Sequence, residues 1–402
     1  MNGRNPPDDP LDDSNARCRH LGDWLIEGFL NISRKIHQTN WKSPLAASST
    51  LSVDQDNSEL KEVIYDRIHS SLLPLLQHQI TTLSLLLAGL SKEPESGLKQ
   101  MLAIQPEIDY NLTQIKAALD VVCPRGLSSL NQADDQQLKQ FKTYRLVELR
   151  EMLWLLAAVY ICSALDEASR HIGRMGFSTS SRPQNRLSST YRKATPDALD
   201  WIGFTIKHLR GSELDVAENR WRYAVLSIDK ELDNLICLVN PTAHSTNQGF
   251  PLAREPVILL AKSAIPIIKL SKLFFTKLSR AGMNRKLVSS STDMNSIQLG
   301  CLCKSAEKVS EDLPKLLTLL SEADVLDGAA ANFDNSQNII RLAATVASHF
   351  ETPVQLAVDY LVPLVPETGG LPNKNYYKDW LLTWKIQSIL AIHNFIQRAL
   401  TI

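Results

Sequence analysis

From about residue 56 onward, apolar side chains recur every three or four positions, the spacing of one face of an α-helix. The clearest run, Ile68–Ser91, carries no formal charge and steps through Leu76, Ile80, Leu83, Leu87 and Leu90 along one stripe. Comparable stripes predict helices over about 15–38 (Leu21, Leu25, Phe29, Ile32), 58–90, 97–122 (Leu98, Met101, Ile108, Leu112, Ile115, Leu119, Val122) and 135–172. Met152–Leu165, in the middle of the last, is apolar nearly all round, as befits a rod at a bundle's centre. Further helices are predicted over about 195–210, 212–239, 255–281, 292–324, 336–362 and 373–400.

Punctuation supports these limits. Pro74 predicts a kink, and Pro106 is a candidate break. Gly173 and Gly176 supply a stop. Thr195-Pro196 reads as a cap followed by proline at the first helical position. Ser212 and Asp215 have the spacing of a capping box. Pro266, Pro314 and Pro353 lie inside helical patterns and predict kinks or, at one of them, a break. The nearest candidate strand, Leu361–Pro366, contains two prolines, which argues against sheet membership. No fixed-period repeat points to a solenoid.

The expected fold is therefore all-α: two packed antiparallel helical bundles of about ten helices, several of them proline-kinked. Residues 1–14, with Asp8, Asp9, Asp12 and Asp13, read as a disordered acidic tail. Residues 15–173 form the first bundle and 195–402 the second. Between them, 174–194 is rich in Ser and Arg, contains no acid, and is the expected linker or loop.

A chain of 402 residues can bury a core without staples. Lysine plus arginine and aspartate plus glutamate both number 43, so no global charge draws the chain to nucleic acid or an anionic membrane. The six cysteines are scattered, which argues against a disulfide framework and for a reducing compartment, cytoplasm or nucleus. The N-terminus lacks the apolar core of a secretory signal. Ile68–Ser91 includes polar His69, Gln77, His78 and Gln79, and Met152–Leu165 is too short to span, so both read as bundle helices and no transmembrane helix is expected.

Candidate chemistry is sparse. The phosphate-loop, dinucleotide, zinc-protease and nucleophile-elbow motifs are missing. Cys301 and Cys303 are close, but no other Cys or His lies within 40 residues to complete a zinc site. The acid pairs Asp166/Glu167 and Glu311/Asp312 are adjacent, so on a helix they diverge. Neither a cofactor, a metal nor a catalytic residue is expected. The sequons at Asn31 and Asn111 fall in predicted helices and read as chance matches.

One surface feature stands out. Between Arg254 and Lys286 there are eight basic residues and one acid, Glu255. On a helical wheel Lys262, Lys269, Lys272, Lys277 and Arg280 fall within roughly 140°, with Leu260, Ile267, Phe274 and Leu278 opposite. The plainest account is the solvated side of a bundle helix. The functional one is a partner-binding face for an acidic protein segment, or peripheral attachment to an anionic lipid surface. Nucleic acid fits poorly, because no aromatics interleave the cations. Arg186-Leu-Ser-Ser189 and Arg285-Lys-Leu-Val-Ser289 make Ser189 and Ser289 candidate phosphorylation sites, where phosphate would cancel local positive charge.

The region 250–402 resembles the cyclin-D-interacting helical-bundle family. The resemblance rests on PVILLAKSAIPIIKLSKLFFTKL, LGCLCKSAEKVSEDLPKLLTLL, NIIRLAATVASHFETPVQLAV and the closing DWLLTWKIQSILAIHNFIQ. The whole chain also resembles uncharacterised all-helical families of rust-type fungi. These resemblances imply an intracellular all-α protein that binds regulatory partners and brings no catalytic residues. The expected function is a non-enzymatic adaptor using a groove or basic face of the C-terminal bundle. The alternatives are membrane association through 256–281 and an enzyme with a site built between helices.

Overall fold

The computed structural model describes residues 10–39, 41, 58–123, 134–179, 194–240, 251–279, 282–283, 291–325, 329–367 and 372–402. The protein is all-α, and no strand occurs among the described residues. In chain order the helices are α1 (Pro10–Gln38), α2 (Ser58–Arg67), α3 (Leu73–Gly89), α4 (Pro94–Val122), α5 (Thr143–Leu155), α6 (Cys162–Arg174) and α7 (Ala194–Arg210). They continue with α8 (Glu213–Val239), α9 (Glu255–Leu278), α10 (Ser296–Val325), α11 (Ala329–Ser348), α12 (Glu351–Leu356) and α13 (Lys374–Ala399).

Two of the rods are joined through wider turns. A π-helical turn, Ile68–Leu72, links α2 to α3 just before Pro74, and another, Leu156–Ile161, links α5 to α6. Proline removes a donor and crowds the preceding turn, and a π-turn is one way to absorb that. Pro106, Pro266 and Pro314 lie within continuous helices. Ahead of Pro353 the chain is interrupted: α11 stops at Ser348 and α12, which contains Pro353, begins at Glu351. The predicted helix over 135–172 starts later than expected. Gln136–Phe141 forms a 3-10 turn, with Lys139 at φ 49°, and α5 follows from Thr143. Of the expected acidic tail 1–14, the residues from Pro10 on belong to α1, and residues 1–9 lie outside the described residues.

The chain divides into two compact units, Met1–Leu130 with Arg145–Arg210, and Asn131–Tyr144 with Gly211–Ile402. The division thus falls at Gly211 and not within 174–194, whose residues 180–193 lie outside the described ones. The reason is packing. α7 rests on α3, α6 and the Leu156–Ile161 turn of the first unit. There the Trp201 indole donates to the Met152 carbonyl at 3.2 Å and stacks on Tyr160. The break after α7 is reinforced by the predicted capping box: Ser212 Oγ accepts from the Asp215 N–H at 3.0 Å, and Asp215 accepts from the Ser212 N–H at 2.9 Å.

Each unit is a closed ring of five rods. In the first the order around the ring is α1, α4, α2–α3, α7, α5–α6. α1 and α4 run parallel, since Leu25 meets Gln105 while Lys35 meets Asp109. Asn111 of α4 is buried and donates to the Leu72 carbonyl at the end of the π-turn and to Gln79. That burial also makes its sequon inaccessible in the folded chain. Gly22 of α1 is required by close approach, because any Cβ there would meet the Phe177 carbonyl.

In the second unit the ring runs α8, α9, α13, α11, α10. α8 and α10 run parallel: Glu213 meets Thr292, and the Trp221 indole donates to the Leu302 carbonyl at 3.0 Å. The ring encloses an aromatic centre of Trp221, Phe274, Phe275, Phe350 and Trp384, with Phe274 and Trp384 ring centres 4.8 Å apart. Such pairing adds to the burial of large apolar side chains. Both units thus hold one parallel pair, formed by their first and third rods. The second rod neighbours the third in the first unit but the first in the second unit, so the rings are not copies of one wiring.

Candidate functional site

Of the five cations predicted along one face of α9, the four that are described have different employment. Lys272 forms an ion pair with Asp229 of α8. The Lys277 ammonium donates to the Tyr376 hydroxyl at 2.7 Å and sits 4.6, 5.6 and 5.5 Å from the ring centres of Tyr376, Tyr377 and Trp380. It is a cation held by three aromatic rings of α13, an attraction between charge and ring quadrupole. Lys262 and Lys269 are exposed, without an ion pair among the described residues. Arg280 lies outside the described residues, as do Ser189 and Ser289.

The other side of α9 is core. Val257, Leu260, Ala264, Ile268, Phe274 and Phe275 are all buried. The helix therefore has no apolar face to offer a lipid surface without opening the bundle. Its outward ridge alternates Leu259, Lys262, Pro266, Lys269 and Leu273, all exposed.

Beside it runs α13. The Trp384 indole donates to the Leu270 carbonyl at 2.8 Å, while Tyr376 meets Lys277. The two helices are therefore antiparallel, and Lys269 lies at about the level of Lys385. Tyr377, Leu381, Trp384, Ala391, Ile392, Phe395 and Ala399 point inward. Sequence reasoning missed a second stripe on the opposite side. Leu382 is 59% exposed, Ile386 48%, Ile389 59%, Leu390 48% and Leu400 57%. With exposed His393 and half-buried Ile396, residues 382, 386, 389, 393, 396 and 400 step by four and three. That is the spacing of a helix–helix seam, and it extends for about 27 Å at 1.5 Å per residue. Exposed Lys378 and Lys385 border it on one flank.

Groups with chemical capacity elsewhere are used to hold helices together. Asp312 of α10 accepts from Lys315 at 2.7 Å and lies 2.8 Å from the His349 imidazole. Burial opposes ionisation of Asp312, but the bonds from Lys315 and His349 outweigh it and hold its carboxyl below the usual value. The hydroxyl of Ser348, next to His349 in the chain, donates to the Thr345 carbonyl of its own helix. An open groove of about 520 Å³ between α10 and α11 is lined by Lys315, Thr318, Leu319, Asn338, Arg341 and Thr345, among others. Among the described residues no group of three or more His, Cys, Asp or Glu side chains is placed to hold a metal ion. Cys301 is half-buried and Cys303 buried, and neither is in a disulfide.

Glu59–Gly89 is long and apolar enough to cross a membrane, by length and composition alone, a test that the core helix of a packed bundle also passes. Its Leu73, Leu76, Ile80 and Leu83 are buried, and Asp66, Arg67, Gln77 and His78 are exposed.

Residues 61–210 match the model of a family described as a domain of unknown function (DUF8723), and residues 212–397 match that of a second such domain (DUF8721). The two matches meet where the compact units divide, between Arg210 and Gly211. Neither a curated protein nor a solved structure matches the chain.

Proposed function

We propose that this protein is a non-enzymatic helical adaptor of the cytoplasm or nucleus. Its second unit engages a regulatory protein partner through the outward face of α9 and α13, in line with the resemblance of 250–402 to the cyclin-D-interacting bundles. The observation that carries this reading is α13 itself, a helix apolar on two opposite sides of which only one packs into the ring. A soluble surface rarely leaves a contiguous row of large aliphatic side chains uncovered without a use for it. The open lysines of α9 add a positive ridge beside that row, and positive charge favours acidic partners.

Membrane attachment through 256–281 is not proposed, because it would draw Phe274 and Phe275 out of the aromatic centre. An enzyme is not proposed either, since the Asp312 carboxylate beside His349 is already engaged by Lys315 and that imidazole.

Charge reversal tests the reading. The full chain and its Lys262→Glu/Lys269→Glu variant are immobilised and exposed to native extract at low salt. A protein retained by the first and lost by the second supports the adaptor. Identical retention by both, or retention by neither, contradicts it.

A further inference from the structure

The aliphatic seam on α13 also has chemistry that selects its occupant. Leu382, Ile386, Ile389 and Leu390 stand exposed in a row. The four-three spacing is that by which one helix receives the side chains of another, and a strand or loop would not use it along its whole length. Lys378 and Lys385 line one flank. On the other flank α9 presents Lys262 and Lys269, with Lys269 at about the level of Lys385. Against these four cations the same face carries the acids Asp379 and Glu255.

The charge pattern separates two possible occupants. A second copy related by a two-fold axis would set this face against itself. Lysine flank would then meet lysine flank, and like charges across an interface disfavour association. A helix with acidic residues on either side of an apolar stripe instead meets a cation at each edge. We infer that the outer seam of α13 is a docking site for an acidic amphipathic helix of a partner protein. The helix lies along α13, its apolar stripe on Leu382, Ile386 and Ile389 and its carboxylates between Lys385 and Lys269. This inference rests on the adaptor reading and adds the occupant to it.

The test uses the full chain and a fluorescein-labelled synthetic helix of about three heptads, with Leu and Ile at the seam positions and Glu at the flanking ones. A twin peptide carries Lys in place of every Glu. Binding is read by fluorescence anisotropy at low and moderate salt. The acidic peptide is expected to bind and the basic twin not to. Ile386→Glu, at an exposed position, should weaken binding at least about tenfold without changing the thermal unfolding temperature. Lys385→Glu/Lys269→Glu should reverse the preference between the twins. Equal binding of both peptides, no binding of either, or an undiminished affinity in Ile386→Glu overturns the inference. So does a sedimentation mass for the wild-type chain alone that is dimeric and becomes monomeric in Ile386→Glu, since the seam would then belong to a second copy. The extract experiment with the α9 variant can still succeed when the peptide fails. That combination removes the acidic helix as occupant and leaves the adaptor standing.

Discussion

Lys142 Nζ lies 2.6 Å from Glu213 Oε1, and neither side chain reaches solvent. The same ammonium donates to the Thr292 carbonyl at 2.7 Å, and the second Glu213 oxygen accepts from the Thr292 N–H at 3.1 Å and its hydroxyl at 2.6 Å. This fastens the 3-10 segment before α5 to the N-terminal ends of α8 and α10, all within the second unit. Burying two charges costs desolvation, which their attraction and the bonds with Thr292 offset. Lys142→Met should therefore destabilise the second unit by about 3–5 kcal/mol, because it strands a buried carboxylate. Adding Glu213→Gln, which keeps an acceptor for Thr292, should recover much of that. Urea denaturation followed by circular dichroism checks both, and a Lys142→Met chain as stable as the wild type contradicts the assignment.

Asp135 makes the same region sensitive to acid. Its carboxylate accepts from the N–H groups of Thr143 and Ser296, each at 2.8 Å, and from the Ser296 hydroxyl at 2.5 Å. All three residues lie in the second unit, where the carboxylate satisfies the N–H groups that open α10 at Ser296 and follow the 3-10 turn at Thr143. Burial opposes the charge, but the hydrogen bonds from Ser296 and Thr143 outweigh it and keep the carboxyl below its usual value. Asp312 is shifted in the same direction. With folded values below the unfolded value of about 3.9, this stabilisation is fully present above that pH. It is lost as pH falls through the folded values. Urea midpoints should hold near neutrality and drop in acid. Asp135→Asn should start lower and fall less steeply.

The cysteines should react in order of their surroundings. Burial pushes the Cys123 thiol up to about 12, and its sulfur lies 3.5 Å from the Leu146 carbonyl. Burial also raises Cys162 and Cys18. Since the thiolate is the reactive form, iodoacetamide at mildly alkaline pH should leave Cys123 unmodified until the chain unfolds. Half-buried Cys237 and Cys301 should be alkylated first. Peptide mass spectrometry over time decides it, and equal labelling of Cys123 and Cys301 contradicts the packing around α4.

The α9 lysines should separate into two classes. Lys277→Ala removes a cation from three rings and a hydrogen bond from Tyr376, at a cost of about 1 kcal/mol. Lys272→Ala removes a half-exposed ion pair and should cost less than about 1 kcal/mol. Lys262→Ala and Lys269→Ala should change stability by no more than about 0.5 kcal/mol. Denaturant titrations of the four variants test the division between fastening and free cations.

Much of the fold was legible in the sequence because it is written locally. The capping box at Ser212 and Asp215 depends on residues three positions apart. The order of rods around each ring was not legible, because it is set by contacts between distant segments. Lys142 reads as an ordinary surface lysine until Glu213 and Thr292 come to it from 71 and 150 positions away. Composition pointed to 174–194 as the boundary, yet α7 stays with the first unit through Trp201 and its neighbours. The outer seam was hidden for a different reason. In α13 two apolar stripes overlap in sequence, and a helix apolar on several sides reads as fully buried. Only the position of α13 at the rim of the ring shows which stripe is left open. The same packing divided the predicted lysines, since neither Asp229 nor the Tyr376–Trp380 rings are near α9 in sequence.

A photo-crosslinking amino acid at position 386, introduced into the chain in its native cell, addresses the central claim most directly. Predicted is a discrete adduct heavier than the chain that is missing when the same group replaces exposed Leu226 on α8 and is lost in a Lys269→Glu/Lys385→Glu background. Adducts at position 386 no different from those at 226, or unaffected by the charge reversal, would contradict it.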